Sequence, residues 1–230
     1  MCENPNQQPR CPACRLHQEL CVCSMAPHLA LRTRVAVIMH YADAVKMSNS
    51  GRLVSLCLAN SAVHIRGLKD TPLGALVCAN PASRLVLFPG RDSQELTPQL
   101  VASLAPPITL LIPDGSWNQA RRAVKREPQL QGALRVHLPP GLQARHRIRA
   151  HANANRLCTF EAISQALGII ESAAIEQQLD DFFSIWVRRV LYTKGQLTKA
   201  QLACGECSGK GASVVGCLES RQRRDATVRR

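Results

Sequence analysis

Four cysteines crowd into thirteen residues near the N-terminus: Cys11, Cys14, Cys21 and Cys23. Four thiolates in a C-x2-C-x6-C-x-C pattern can close a tetrahedral zinc site. Closing it would order a segment that has almost no apolar core of its own. His17 lies inside the loop and could replace one sulfur. A redox pair or four independent thiols is the competing reading, but exposed thiols at this density are an oxidation liability. Four protein ligands leave no open position for substrate, so the expected role is structural. The late pair Cys204 and Cys207 is half a site and carries little alone.

A second constellation is Pro113-Asp114-Gly115-Ser116-Trp117, which follows the apolar run Ile108–Ile112 and opens a helical pattern. In open α/β sheets ligands bind beyond the carboxyl ends of strands, where Asp114 falls. An Asp at that point also serves as a helix N-cap. Trp117 forms an apolar stripe with Ala120 and Val124, so it is either core or the wall of a pocket. From Arg121 to Arg149 stand eight basic residues (Arg121, Arg122, Lys125, Arg126, Arg135, Arg145, Arg147, Arg149) against one acid, Glu127. Solubility favours mixed signs, so this clustering points to phosphate; a solvated basic loop is the alternative.

The elements that must position these groups follow from hydrophobic spacing. Strands are predicted at Arg34–Met39, Ala62–Ile65, Arg84–Phe88, Ile108–Ile112 and Leu134–Leu138, and helices at Ser48–Asn60, Ser93–Leu104, Ser116–Glu127, Thr159–Leu167 and Ala173–Tyr192. Strands alternating with helices predict an α/β fold, a mostly parallel sheet covered by helices on both faces. Three zones are expected: a cysteine-rich head over 1–30, a body over 31–200 and a basic, flexible tail over 201–230. The chain has 230 residues and a net charge of +13, which suits a polyanionic partner. Its 46% apolar content excludes wholesale disorder, and 3% aromatics argues against a base-stacking single-strand binder. The uncharged stretch Leu96–Pro113 is interrupted by prolines and is a poor membrane span, and the first residues lack the pattern of a signal peptide. A cytoplasmic protein with reduced thiols is the expectation.

These residues resemble the DTW-domain family. Asp114-Gly115-Ser116-Trp117 is close to the family's D-x-T-W. Asn49-Ser50-Gly51-Arg52-Leu53 resembles its N-T-G-R-L, and Leu58-Ala59-Asn60-Ser61 its L-x-N-S. Leu87-Phe88-Pro89-Gly90 resembles its L-[FY]-P-G turn, and Leu157-Cys158-Thr159-Phe160-Glu161-Ala162 its L-S-T-x-E-A helix start. Any one motif is weak; five in order, together with the cysteine-rich head, are specific. Ser116 replaces the signature Thr and Cys158 a Ser, which keeps a hydroxyl at the first and removes one at the second.

The resemblance implies a tRNA-uridine aminocarboxypropyltransferase. Such an enzyme moves the 3-amino-3-carboxypropyl group of S-adenosylmethionine to N3 of a tRNA uridine and leaves methylthioadenosine. It also implies a SPOUT-like sheet with a trefoil knot. On this reading Asp114 is catalytic; Phe88, Pro89, Gly90, Pro113, Gly115, Ser116, Trp117, Leu157, Thr159 and Glu161 bind S-adenosylmethionine. Cys11, Cys14, Cys21 and Cys23 hold structural zinc; Arg52, Arg121, Arg122, Lys125, Arg145, Arg147 and Arg149 face tRNA. A carboxylate beside the sulfonium would favour the ground state over a transition state in which that charge disappears. Asp114 is therefore expected either to accept the N3 proton or to hold the donor's ammonium. Capping is the default for Thr159 and Glu161. A SPOUT-like methyltransferase and a non-catalytic zinc-containing RNA binder are the competing functions.

Overall fold

The computed structural model describes residues 9–68, 81–142, 144–146 and 157–206. Six parallel strands form one sheet in the order β2-β1-β5-β3-β6-β4. They are β1 (Arg34–His40), β2 (Ser61–Arg66), β3 (Arg84–Leu87), β4 (Gln94–Glu95), β5 (Thr109–Asp114) and β6 (Leu134–His137). Apolar residues fill both faces, as a parallel sheet requires. Val35, Val37, Met39, Leu85, Leu110 and Ile112 join the larger core, while Ala36, Ile38, Val86 and Leu111 pack on the other side with Ala123, Val124 and Leu130. The period-2 alternation thus assigns successive residues of one strand to two different cores.

The larger core is covered by α5 (Thr159–Ile170) and α6 (Ala173–Thr193), the smaller one by α4 (Trp117–Arg126). Helices on both faces agree with the expectation, and so do the three long helices within a few residues at their ends. The last helix among the described residues, α7 (Lys199–Glu206), carries the order of the body past residue 200 into the segment expected as a flexible tail.

Two predicted helices are corrected. Over Ser48–Asn60 the chain forms a tight turn at Gly51–Leu53 and one helical turn, α2 (Val54–Cys57), before Leu58 extends. The segment is drawn into the site described below, and those contacts override helical spacing. Over Ser93–Leu104 the chain forms the edge strand β4 and then α3 (Pro98–Ala102). Thr97 caps α3, its Oγ1 accepting from the Leu100 N–H at 3.2 Å, with Pro98 in the first turn. That Thr-Pro start signal stands in the sequence and fixes the later beginning.

The head is seated on α6. Cys14, Leu16 and Val22 belong to the same buried cluster as Trp186 and Val190. The Trp186 indole N–H donates to the Cys14 carbonyl at 3.4 Å, and Arg189 Nη1 donates to the Leu20 and Cys21 carbonyls at 3.2 and 2.8 Å. Among the described residues no helix is long and apolar enough to cross a membrane.

Candidate active site and metal centre

The site begins with where β5 ends. Its last two residues, Pro113 and Asp114, pair with Ile38 and Met39 of β1, while pairing with β3 stops at Leu111. Pro113 lacks an N–H, and it sits past the last β3 rung, where the ladder asks least of it. The next residue, Gly115, has φ +146°, and Ser116 caps α4. Ser116 N donates to Gln119 Oε1 at 2.7 Å and Gln119 N to Ser116 Oγ at 3.4 Å. This reciprocal capping box answers the question left open at Asp114, since the cap is two residues further on.

Asp114 is 5% exposed, and both of its oxygens accept hydrogen bonds. Asn49 Nδ2 donates to Oδ2 at 2.7 Å, and Thr159 Oγ1 donates to Oδ1. Charge-assisted bonds of this kind hold a carboxylate in one orientation. Asn49 also accepts from the Arg52 N–H at 3.3 Å, so its amide closes the local turn while reaching the carboxylate. Ser50 Oγ accepts from the Phe160 N–H at 3.3 Å. At Gly51 an added Cβ would lie 2.8 Å from Asp114 Oδ2 and 3.3 Å from Thr159 Cγ2. The Asn49-Ser50-Gly51 segment therefore joins the end of β5 to the start of α5. Asn49 was missed as a site residue by sequence reasoning, although its motif was noticed. Nothing in local spacing says that this amide meets a carboxylate 65 residues away.

Beyond the ends of β3, β5 and β6 lies a cavity of about 520 Å³, within the usual range for small-molecule sites. Phe88 and Pro89 enter it from after β3, Pro113, Gly115 and Trp117 from the β5–α4 turn, and Leu157 and Thr159 from the start of α5. Those seven expected site residues are brought together. Trp117 is 47% exposed and its ring centroid lies 5.5 Å from that of Phe88, so it is a pocket wall and not core. Asp114 itself, Gly90, Ser116 and Glu161 do not line the cavity. Glu161 is buried at the start of α5, where it accepts from the Cys158 N–H at 3.0 Å and the His146 N–H at 2.9 Å. It caps. Further lining residues include Cys158, which stands in the quoted motif but outside the expected donor set and whose thiol is pushed well up by burial, and His137, which has no sequence signal. The His137 Nδ1 pairs with Ser93 Oγ at 2.9 Å.

The basic residues divide. Arg121, Arg122 and Lys125 are exposed along α4, together with Arg126. Arg145 instead pairs with Asp180 and, at 2.8 Å, with Glu176. Arg52 is folded inward, its Nη2 donating to the Ala44 carbonyl, and burial lowers its affinity for a proton. Both were expected at an RNA surface; both guanidiniums are held by groups of the protein itself. Arg147 and Arg149 lie outside the described residues, as do Cys207 and the tail beyond it.

In the head, the sulfurs of Cys11, Cys14, Cys21 and Cys23 all lie within 4.8 Å of one another. Cys11 Sγ is 3.6 Å from Cys23 Sγ, and Cys14 Sγ is 3.8 Å from Cys21 Sγ. This four-sulfur set can hold a metal ion. His17 is not part of it. Burial disfavours the Cys11, Cys14 and Cys23 thiolates and pushes Cys14 and Cys23 up. At Cys11 burial is outweighed by the Cys14 and Ala13 backbone N–H groups, which bring the thiol down to about 7.

The family profile described as DTW domain matches residues 8–191. Among curated proteins, the chain is 26% identical over 176 residues to tRNA-uridine aminocarboxypropyltransferase 2 of Macaca fascicularis, covering 74% of this chain and 59% of that protein. It is 25% identical over 177 residues to the Mus musculus protein of the same name, again with 74% and 59% coverage. The Drosophila melanogaster protein of that name is 25% identical over 176 residues, with 73% and 69% coverage. The chain thus spans about three-fifths of the length of the mammalian relatives. No solved structure matches.

Proposed function

Because the chain belongs to the DTW-domain family, we propose that it transfers the 3-amino-3-carboxypropyl group of S-adenosylmethionine to N3 of a uridine in tRNA, forming acp3U and methylthioadenosine. One observation carries this reading. A buried, doubly hydrogen-bonded Asp114 stands at a sheet end, flanked in sequence by two residues, Pro113 and Gly115, that line a cavity of about 520 Å³. The names of the mammalian and insect relatives support the reaction class. The cavity suits the donor: its walls are largely apolar and include the Phe88 and Trp117 rings, against which an adenosine can lie.

The chain's own groups then divide the work. Thr159 lines the cavity, and its hydroxyl donates to Asp114 Oδ1. Its oxygen keeps lone pairs that can accept the uridine N3–H. As N3 attacks the propyl carbon, the C–S bond breaks and its electron pair neutralises the sulfonium. Thr159 takes the N3 proton and passes its own to Asp114. Asn49 holds the carboxylate for that transfer, and Gly51, lacking a Cβ, leaves it room. Positioning supplies the larger part of the acceleration, because nucleophile and carbon must meet in line. Phe88, Pro89, Pro113 and Trp117 shape the donor site. Arg121, Arg122 and Lys125 meet the RNA backbone, with Arg147 and Arg149 as further candidates. Four cysteines hold structural zinc in a reducing, cytoplasmic setting. β5 lies between the earlier strands β1 and β3, and β6 between β3 and β4; this interleaving is compatible with a SPOUT-like knot.

The test is incubation with S-adenosylmethionine and unmodified tRNA. Methylthioadenosine and a nucleoside heavier by one aminocarboxypropyl group are expected. A methyl-bearing nucleoside with S-adenosylhomocysteine, or no product, overturns the reading.

A further inference from the structure

Asp43 is a further buried carboxylate near the cavity, and the proposed transfer does not use it. It lies in α1 (Tyr41–Ala44), directly after β1, and is 6% exposed. β1 ends beside β5, with Met39 opposite Asp114, so the turn after β1 rises next to the Asp114–Gly115 corner. The two Asp43 oxygens have different fates. Oδ1 accepts from Lys46 Nζ at 2.5 Å, while Oδ2 is buried and has no hydrogen-bond partner among the described residues. An added Cβ at Gly115 would come within 3.5 Å of that Oδ2, with the Gln119 side chain flanking the same space. Gly115 lines the cavity. The unsatisfied oxygen therefore lies behind Gly115, a wall residue that carries no side chain, while Asp43 and Lys46 do not themselves line the cavity.

A buried carboxylate oxygen without a donor is costly, and a ligand donor would relieve the cost. Asp114 cannot fill this role as readily, since both of its oxygens already have donors. Lys46 adds the complementary charge, its side chain being about half exposed beside Asp43. A carboxylate and an ammonium three residues apart match an α-amino-acid end, which carries one charge of each sign. We propose that Asp43 and Lys46 form the receptor for that zwitterionic end of the donor, Asp43 Oδ2 taking the ammonium and Lys46 the carboxylate. The inference rests on the donor assigned above. It has a consequence for turnover: the aminocarboxypropyl group leaves with the RNA, so methylthioadenosine lacks the charges that bound its precursor, and its release is favoured.

Calorimetric binding of S-adenosylmethionine and of methylthioadenosine to the wild type, Asp43→Asn and Lys46→Met tests this. Asp43→Asn is expected to weaken S-adenosylmethionine at least tenfold and methylthioadenosine less than twofold, with Lys46→Met showing the same selectivity to a smaller extent. Unchanged S-adenosylmethionine affinity in both variants overturns the receptor. Equal loss for both ligands at wild-type melting temperature also overturns it, because Asp43 would then shape the adenosine pocket. If Asp43→Asn melts early, the Lys46→Met comparison decides by the same criterion. A wild type that binds neither ligand removes the donor assignment itself, and this inference with it.

Discussion

The cysteine head and the Asp114 site are both clusters of reactive side chains, built in opposite ways. The head draws its four sulfurs from thirteen consecutive residues, where they lie within 4.8 Å of one another. The Asp114 site draws Asn49, Asp114 and Thr159 from three distant segments, and the hydrogen bonds that join them span 65 and 45 residues of chain. A local cluster owes its geometry to loop chemistry and to the ion it can hold. A dispersed one owes its geometry to the sheet, which carries the end of β5 to a fixed place, and to two loops that close upon it. The first should fail when its ion is removed, the second when any of its segments shifts.

The contrast is broken hardest at Asp114. Asp114→Asn should lower methylthioadenosine formation by about 10²–10⁴-fold, the usual contribution of a positioned proton acceptor, with zinc content and melting temperature close to wild type. A normal rate in that variant would falsify the proton-acceptor role. Next comes the head. Metal removal by a chelator, or Cys14→Ser, should cost several kcal/mol of stability, because the ion's binding energy is folding energy for such a segment. The readouts are bound zinc and thermal melting. If zinc is absent from purified protein and chelation leaves the melt unmoved, the four sulfurs are not a metal centre.

Gly51→Ala sharpens the comparison from the other side. Its Cβ would stand 2.8 Å from Asp114 Oδ2, an overpacking worth about 1–3 kcal/mol. Activity should fall at least tenfold while zinc is retained. Full activity would show that the carboxylate is not tightly held. Reversing charge in Arg121→Glu/Arg122→Glu should raise the KM for tRNA and flatten its dependence on salt, by a slope of about one per lost phosphate contact, leaving kcat near wild type. An unchanged KM would move the RNA surface elsewhere. Smallest is Ser116→Ala, which removes the α4 cap and should cost about 1 kcal/mol, a shift of about 2–4 °C in Tm for a chain this size. A loss of donor binding larger than that shift explains would give Ser116 the ligand contact that its hydrogen bonds do not show.

Much of the architecture was legible from residue order alone. The apolar runs at Arg34–Met39 and Ile108–Ile112 became central strands because a parallel sheet buries both faces and tolerates nothing else there. The cysteine spacing could be read because its partners are neighbours in the chain. Position at the end of an apolar run left Asp114 between a ligand site and a helix cap, and only the resemblance of its motif to the DTW-domain signature singled it out. What spacing could not supply were relations between distant segments. Ser48–Asn60 has helical periodicity, yet contacts with Asp114 and Phe160 hold Asn49, Ser50 and Gly51 in a turn. Arg52 and Arg145 carry the charge of an RNA contact, but the Ala44 carbonyl in one case and Asp180 with Glu176 in the other claim them. Trp117 shares a stripe with Ala120 and Val124 and still faces the cavity, because the helix begins at the sheet's rim and its first turn overhangs the core. Charge, hydroxyl and sulfur are properties of the residue and travel with the sequence. Which partner satisfies them is settled when the sheet brings remote chain ends within hydrogen-bond reach, and no pattern along the chain encodes a distance across it.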